Sequence, residues 1–274
     1  MSEICQWMGI TRQAHYQDRQ RKLQRQEEKE VILKLVQEVR QRHPRMGGRK
    51  LLHLIRPKLS SQGIKIGRDR FFSLLAEHDL LLAPPRQKRR TTWPGSWRCP
   101  NRLVSLSLNN VQQAWVCDIT YLETEQGFCY LALVTDAYSR YIVGFDFSTS
   151  LAVEGALRAL EMAVDQSPST LKGLIHHSDH GIQYTCHAYC DRLNHLGILS
   201  SMGEVGNCYD NAKAERVNGI LKIEYGLGGL FVDFKQVELA TRQAIWLYNC
   251  ERPHLSLLYQ RPADIHFSHL LHLP

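Results

Sequence analysis

Three acidic residues lie in segments where a carboxylate needs an explanation. Asp118 lies inside an apolar strand-like run, Asp179 ends a second one, and Glu215 lies within a long helical segment. A carboxylate in an apolar strand is costly to bury unless it is paired or binds a cation. Oxygen ligands suit magnesium or manganese, and two such ions about 4 Å apart can activate an attacking oxygen and stabilise a leaving oxygen. The three residues therefore indicate metal-dependent chemistry on a phosphodiester, although each alone also fits a structural role at a strand edge, in a turn or on a solvated helix.

The segments around these acids predict an α/β sheet. The stretches QAWVCDITYLET, FCYLALVTDAY and YIVGFDFST have the period of strands and follow one another closely, as in an antiparallel meander. An amphipathic helix over 151–165, the strand of GLIHHSDH, a helix ended by Gly197, the strand ILSSM and a helix over 211–225 come next. This order of strands and helices is typical of a sheet with helices on its faces.

The first 83 residues read as helical throughout. One helix is predicted to start at Thr11. Further helices are predicted over 31–39, 47–61 and 68–80, and a tight GIKIG turn joins the last two with helix-turn-helix spacing. Arg68 and Arg70 lie in the first turn of the last helix, where they would reach phosphate or base edges. A solvated small helical bundle is the alternative interpretation.

The charge is unevenly distributed along the 274 residues. Residues 1–100 hold 22 Lys or Arg and 9 Asp or Glu, whereas residues 101–274 hold 12 and 18, within a net charge of +7. A basic region followed by an acidic one suggests a module that binds a polyanion, joined to a module with a different function. Solvation alone also explains an excess of Arg. The segment 84–111 reads as a basic linker rich in Pro and Trp, in which Lys88, Arg89 and Arg90 would lie along a phosphate backbone.

The composition excludes several classes of protein. With 43% hydrophobic and 22% charged residues it is close to the globular average, which excludes disordered and fibrous chains. No apolar run of about 18 residues and no secretory leader are visible, so we expect a cytoplasmic protein. The eight cysteines form no CxxC pair, and a zinc site near Cys186 and Cys190 is disfavoured by their helical spacing.

The acidic blocks carry a resemblance to a known family. WVCDITYL, HHSDHGIQYT and NCYDNAKAERVNGILK, with 60 and 35 residues between their acids, resemble the motifs of D-D-35-E transposases and retroviral integrases. More closely, they and the block YNCERPHLSLLYQRPAD resemble the second-frame (OrfB) product of the insertion-sequence-three family. The resemblance implies an RNase H-like catalytic core at 112–230, a mixed five-stranded sheet with flanking helices. The all-α helix-turn-helix-like region 1–83 and the linker would precede it, and a C-terminal helix and tail, 231–274, would pack on it.

The resemblance also implies an activity. Asp118, Asp179 and Glu215 would bind two Mg²⁺ ions, for which Mn²⁺ can substitute, and catalyse DNA strand cleavage and strand transfer. Lys222, two helical turns after Glu215 and so on nearly the same face, would hold a DNA phosphate. The other expected DNA contacts in this core are Lys213 and Arg216, the latter at a position where relatives usually have Ser. Arg252 in the C-terminal block is a further candidate for a DNA contact.

Pairing two DNA ends implies a homo-oligomer on DNA, and the first-frame (OrfA) protein is a further expected partner. Two other classes of function compete with the transposase. The first is a catalytically silent DNA-binding remnant or regulator, which would be expected to lack an acid of the triad. The second is another RNase H-like nuclease, which would usually carry four carboxylates.

Overall fold

The computed structural model describes residues 7, 9, 11–83, 99–167, 170–203 and 212–268. The chain divides into two compact units, residues 1–83 and residues 84–274. None of the helices in these described ranges is long and apolar enough to cross a bilayer.

The first unit is helical. Its helices are α1 (Arg12–Arg42), α2 (Gly48–Ser61) and α3 (Arg68–Glu77). Helix α1 begins after Thr11, whose side-chain oxygen accepts a hydrogen bond from the Ala14 N–H, and it continues unbroken through the predicted 31–39 segment. Only the second half of α1 contributes buried residues to the core that it forms with α2 and α3.

The second unit is a mixed sheet with helices on both faces. Strands β1 (Ala114–Thr124), β2 (Gly127–Asp136) and β3 (Ile142–Ser148) are antiparallel, whereas β4 (Ile175–Ser178) and β5 (Leu199–Met202) run parallel to β1. The sheet order is β3-β2-β1-β4-β5, and the two-residue strand β6 (Leu230–Phe231) pairs with the far end of β1. The predicted five strands are therefore present, and β6 adds a short sixth.

Helices cover the two faces of the sheet with different partners. One apolar cluster joins the sheet to α4 (Val153–Asp165) and α6 (His187–His195), which follows the short α5 (Ile182–Thr185). The other joins the sheet to α7 (Ala212–Glu224) and α8 (Phe234–Cys250). A 3₁₀ turn (Leu255–Leu257) and helix α9 (Pro262–His266) complete the described fold. The C-terminal region thus contributes buried residues of α8 to one face of the core.

Part of the expected linker packs on the second unit. The Cys99 thiol donates to the Ser200 carbonyl oxygen at 3.1 Å, and the Arg102 N–H donates to the Ser201 hydroxyl at 2.9 Å. Leu103, Leu106 and Leu108 pack on a buried cluster around β1 and β4. Residues 99–108 of the expected linker 84–111 therefore pack on the second unit, and residues 84–98 lie outside the described residues.

Gly144 on β3 allows close packing of α4. A Cβ at this position would lie 2.1 Å from the Ala159 carbonyl oxygen and 2.8 Å from the Ala163 backbone nitrogen. We expect Gly144→Ala to lower the free energy of unfolding by about 2 kcal/mol or more, because backbone atoms of α4 must move. Urea denaturation measures this change.

Gly219→Ala is the matched control, because a Cβ there meets nothing within 4 Å. Within helix α7 that change should raise stability by up to about 1 kcal/mol. Equal stability of Gly144→Ala and the wild type would show that α4 does not pack this tightly on β3.

Candidate active site

Strand alternation places Asp118 under helix α7. Trp115 and Cys117 point to the face covered by α4 and α6, whereas Leu122, an even-numbered position like Asp118, packs in the cluster with α7. Asp118 lies in the middle of β1, opposite Leu133 of β2, and is half-buried. The carboxylate therefore projects from the central strand toward the helix that carries Glu215.

The other two acids come from neighbouring elements. Strand β4 lies beside β1 and ends at Ser178, so Asp179 leaves the sheet next to Asp118. One Asp179 oxygen, Oδ1, accepts a hydrogen bond from the Gly181 N–H at 3.0 Å. A Cβ on Gly181 would lie 2.9 Å from that oxygen, so glycine leaves room for the turn. Glu215 is exposed in the first turn of α7.

The three carboxylates interact electrostatically. The pKa of Asp118 is raised from 3.8 to about 7, first by burial and then by the negative charges of Asp179 and Glu215. In the described part of the chain, none of the three forms an ion pair with Lys or Arg. A divalent cation would relieve this repulsion, and hard oxygen donors suit magnesium.

The described residues contain no group of three His, Cys, Asp or Glu side chains spaced to share one ion. Like charges that lack a counter-ion repel one another, which favours separated carboxylates. The donor set fits a hard cation in its chemistry, and its use as a ligand set belongs to the proposal below.

Asn218 is a site residue that the sequence analysis missed. Its Nδ2 donates to the Asp118 Oδ2 at 2.7 Å, and this bond opposes the rise of the Asp118 pKa. The side chain is buried, and its Oδ1 has no hydrogen-bond partner within the described residues. The available signal was its position three residues after Glu215, which places both residues on one face of the helix.

We expect Asn218→Ala to raise the pKa of Asp118 by roughly one unit from its value of about 7, because a hydrogen bond that favours the charged form is lost. Carboxyl-carbon NMR of labelled aspartate in the metal-free protein measures this midpoint. Asn194→Ala, at an exposed position of α6, is the control. An unchanged midpoint in Asn218→Ala would show that the amide does not stabilise the carboxylate.

Three cationic residues lie on α7, the helix that carries Glu215. Lys213 is half-buried, and its pKa is lowered by burial and by the nearby Arg140 guanidinium. Arg216 is exposed beside Glu215, and Lys222 is half-buried in the last turn of the helix. All three predicted cations therefore lie on the helix that carries Glu215.

The remaining predicted DNA contacts lie elsewhere in the chain. Arg68 pairs with Asp69 at 2.8 Å, and Arg70 lies 4.0 Å from Glu28, both within the helical unit. Lys88, Arg89 and Arg90 lie outside the described residues.

Two further polar residues of this unit, His176 and Arg252, make contacts that stabilise the fold. His176 is buried against Tyr189, with 2.9 Å between its Nε2 and the phenol oxygen, and burial lowers its pKa to about 3. Arg252, considered as a DNA contact from sequence, is 3% exposed and makes a bidentate pair with Glu224 at 2.8 and 2.9 Å. Arg252 therefore braces the end of α7 instead of facing DNA.

Comparison with known proteins identifies the core domain and its relatives. Two family models, each described as an integrase core domain, match residues 109–208 and 196–262. The protein named as the transposase of element IS986/IS6110 in Mycobacterium tuberculosis (strain CDC 1551 / Oshkosh) is 37% identical over 216 residues, 76% of each chain. The transposase for element IS629 of Shigella sonnei is 36% identical over 76% of this chain and 70% of its own length. A 31 kDa protein of element IS600, also from Shigella sonnei, is 32% identical over 95% of this chain and 96% of its own length.

Solved structures similar to this chain include retroviral integrases. The HTLV-2 integrase catalytic core in complex with magnesium has a TM-score of 0.46 and 16% identity, covering 57% of this chain and 97% of that one. The simian T-cell lymphotropic virus intasome has a TM-score of 0.48 and 17% identity, covering 84% of this chain and 72% of that one.

The mixed sheet and the integrase core matches define a polynucleotidyl transferase with an RNase H-like core. The relatives then fix the family. The chain belongs to the IS3 family of insertion-sequence transposases.

Proposed function

We propose that this transposase cleaves and joins DNA through Asp118, Asp179 and Glu215, with two Mg²⁺ ions as cofactors. The observation that carries the proposal is the Asp118 carboxylate, whose pKa is raised by burial and by two neighbouring acids while none of the three is paired with a cation among the described residues. Bound at these acids, the ions would activate the attacking oxygen and stabilise the leaving oxygen of a phosphodiester. Mn²⁺, with the same preference for oxygen, would substitute.

The proposed reaction has two steps at phosphorus. In the first, water attacks a phosphodiester, a new P–O bond forms, and the bond to the 3′ oxygen breaks to leave a 3′-hydroxyl. In the second, that hydroxyl attacks a phosphodiester of the target strand, and its oxygen replaces the leaving oxygen. The bonds broken and formed are alike, so one set of carboxylates serves both steps.

The protein's own residues position the reacting groups. Asn218 fixes one oxygen of Asp118, and the Gly181 N–H fixes one oxygen of Asp179. These bonds hold the two acids at adjacent strands of a rigid sheet, where small displacements are costly to catalysis.

The surrounding cations would bind the DNA backbone. Lys213, Arg216 and Lys222 lie on the helix of Glu215, where they can contact phosphates of the strand that reacts. In the other unit, α2 and α3 form two consecutive helices that we propose as a helix-turn-helix, with Arg68 and Arg70 at the start of its second helix. Lys88, Arg89 and Arg90 would add contacts to the backbone. Because two DNA ends must be joined together, the active form is a homo-oligomer on DNA.

Incubation of the purified chain with its element's terminal repeats tests the proposal. With Mg²⁺ we expect nicks at the element ends and joined products, and with a chelator we expect neither. Binding of the same ends should persist in the chelator, because backbone contacts by Lys and Arg do not require the metal. Efficient joining in the chelator would contradict the proposed cofactor.

A further inference from the structure

A pocket of 380 Å³ lies in the catalytic unit beside the start of α7. Its walls come from the turn between β2 and β3, the first turn of α7 and the segment after the 3₁₀ turn. Its size lies within the range of small-ligand sites, about 300–1,000 Å³. The side chains used in the argument are Tyr138, Arg140, Lys213, Leu257, Leu258 and Ile265.

Two cations face this pocket. Neither Arg140 nor Lys213 makes an ion pair with any carboxylate of the described residues. Asp136, on the same turn as Arg140, accepts hydrogen bonds from the backbone of Gln112, Tyr138 and Ser139 and from the Ser139 hydroxyl. Its oxygens are engaged in these bonds, and the Arg140 guanidinium donates through Nη1 to the Ala137 carbonyl oxygen. An anion entering the pocket would meet the remaining nitrogens of Arg140 and the Lys213 ammonium.

The backbone around the pocket is strained. Five residues other than glycine adopt the left-handed region within the described ranges, and two of them, Arg140 and Leu258, with φ of 64° and 53°, line this pocket. Such conformations cost of order 1–3 kcal/mol each and are concentrated in ligand sites. The arrangement is held by contacts made elsewhere, which is the pattern of a site built for a ligand.

The contacts that hold it join the turn to the C-terminal segment. The Ser139 Oγ lies 2.9 Å from the His266 Nδ1, and the His266 ring stacks on Tyr141 with centroids 4.7 Å apart and planes 11° apart. At the same pocket, Leu258 presents an apolar side chain that is 88% exposed. The pocket lining combines two cations with one aromatic side chain, Tyr138, and several aliphatic ones.

The pocket is close to the proposed catalytic acids along shared elements. Asp118 is paired with Leu133, three residues before Asp136, which is about 10 Å along β2. That length is on the order of three steps of a B-form strand. On α7, Lys213 precedes Glu215 by two residues.

We propose that this pocket binds one unpaired nucleotide of the DNA strand, with Arg140 and Lys213 on its phosphate and Tyr138, Leu258 and Ile265 against its base. The inference rests on the proposed function, because that function makes DNA the substrate. Arg and Lys bind phosphate through charge-assisted hydrogen bonds, and bases stack on aromatic side chains without regard to sequence.

Binding of a short single strand by the full chain tests this assignment. The probe is a fluorescein-labelled eight-nucleotide strand, measured by anisotropy in a chelator over a range of salt concentrations. We expect Arg140→Gln and Lys213→Gln each to weaken binding about tenfold and to reduce the slope of log K against log[salt] by roughly 0.7 per lost phosphate contact. Lys235→Gln, an exposed lysine of α8 without an ion pair in the described residues, is the control and should bind as the wild type does.

A second comparison distinguishes a nucleotide from a bare phosphate. Leu258→Gly removes the apolar side chain and is compatible with the positive φ, so the fold should be retained. We expect it to weaken binding of the intact strand severalfold and to leave binding of a strand of abasic residues unchanged. Equal losses on both strands would overturn the base contact.

Binding by Arg140→Gln and Lys213→Gln equal to that of Lys235→Gln would overturn the pocket as a whole. Because these measurements contain no metal, they are independent of cleavage. Normal cleavage by Arg140→Gln together with unchanged binding would reject the pocket and leave the proposed function standing. Absence of cleavage by the wild type, together with the expected loss of binding in the two variants, would reject the proposed function and leave the pocket as a nucleotide site.

Discussion

Asp118→Asn should abolish strand cleavage and joining while making the metal-free protein more stable. The amide keeps the shape of the side chain but removes the charge that the proposed ions require, so we expect a loss of at least about 10³-fold in both steps. Near pH 8 the wild-type carboxylate is ionised in the folded state against burial and the charges of Asp179 and Glu215. Its removal should raise the free energy of unfolding by roughly 2–4 kcal/mol.

The opposite signs of these two effects separate a functional residue from a structural one. Asp146→Asn is the matched control, because Asp146 lies on β3 of the same sheet and pairs with Arg158 at 2.8 Å. There we expect activity within a few-fold of the wild type and no gain in stability. Nicking and joining assays and thermal unfolding at pH 8 in a chelator measure both quantities. Loss of stability in Asp118→Asn would contradict the electrostatic account of this position.

The second large effect is a pH dependence of stability that Mg²⁺ should reverse. The folded-state pKa of Asp118, about 7, lies above its unfolded value of about 4. Between these values the folded state binds more protons than the unfolded state, so its contribution to stability falls as the pH rises from about 4 to about 7. Above pH 7 the contribution stays at its lowest, and a cation bound at the carboxylates should restore it.

Thermal unfolding across this pH range, with and without Mg²⁺, measures the effect. At pH 8 we expect Mg²⁺ to raise the Tm of the wild type by several degrees, and sodium chloride of equal ionic strength not to do so. Asp118→Asn should show a flatter pH profile and little response to Mg²⁺. The wild-type Tm relative to that of Asp118→Asn should fall from pH 4 to pH 7. A relative Tm that stays constant or rises across this interval would contradict the raised pKa.

Much of the fold follows from local patterns in the sequence. The alternation of AWVCDITYLET fixes which residues of β1 face each helical layer, so Asp118 could be assigned to a strand before its neighbours were known. Thr11 was predictable as a helix start because its side chain caps the first turn. In contrast, the continuity of α1 was harder to predict, since its first half is exposed and lacks an apolar face.

Contacts between distant segments could not be read in the same way. The hydrogen bond between Asn218 and Asp118 joins residues 100 positions apart, and the type of neither residue predicts the contact. Arg252 looked like a surface cation until its burial against Glu224 was known. Residues 99–108 read as linker because their few leucines have no clear period, although they pack on β1 and β4. Tertiary packing determines such positions.

The joining assay with Glu215→Gln tests the central claim most directly. Glu215 is exposed, so its replacement should leave the fold and DNA binding intact while removing one of the three proposed ligands. We predict that Glu215→Gln binds the element's terminal repeats as tightly as the wild type and yields neither nicked nor joined products with Mg²⁺. Joined products at the wild-type rate would show that the acidic triad is not the catalytic site.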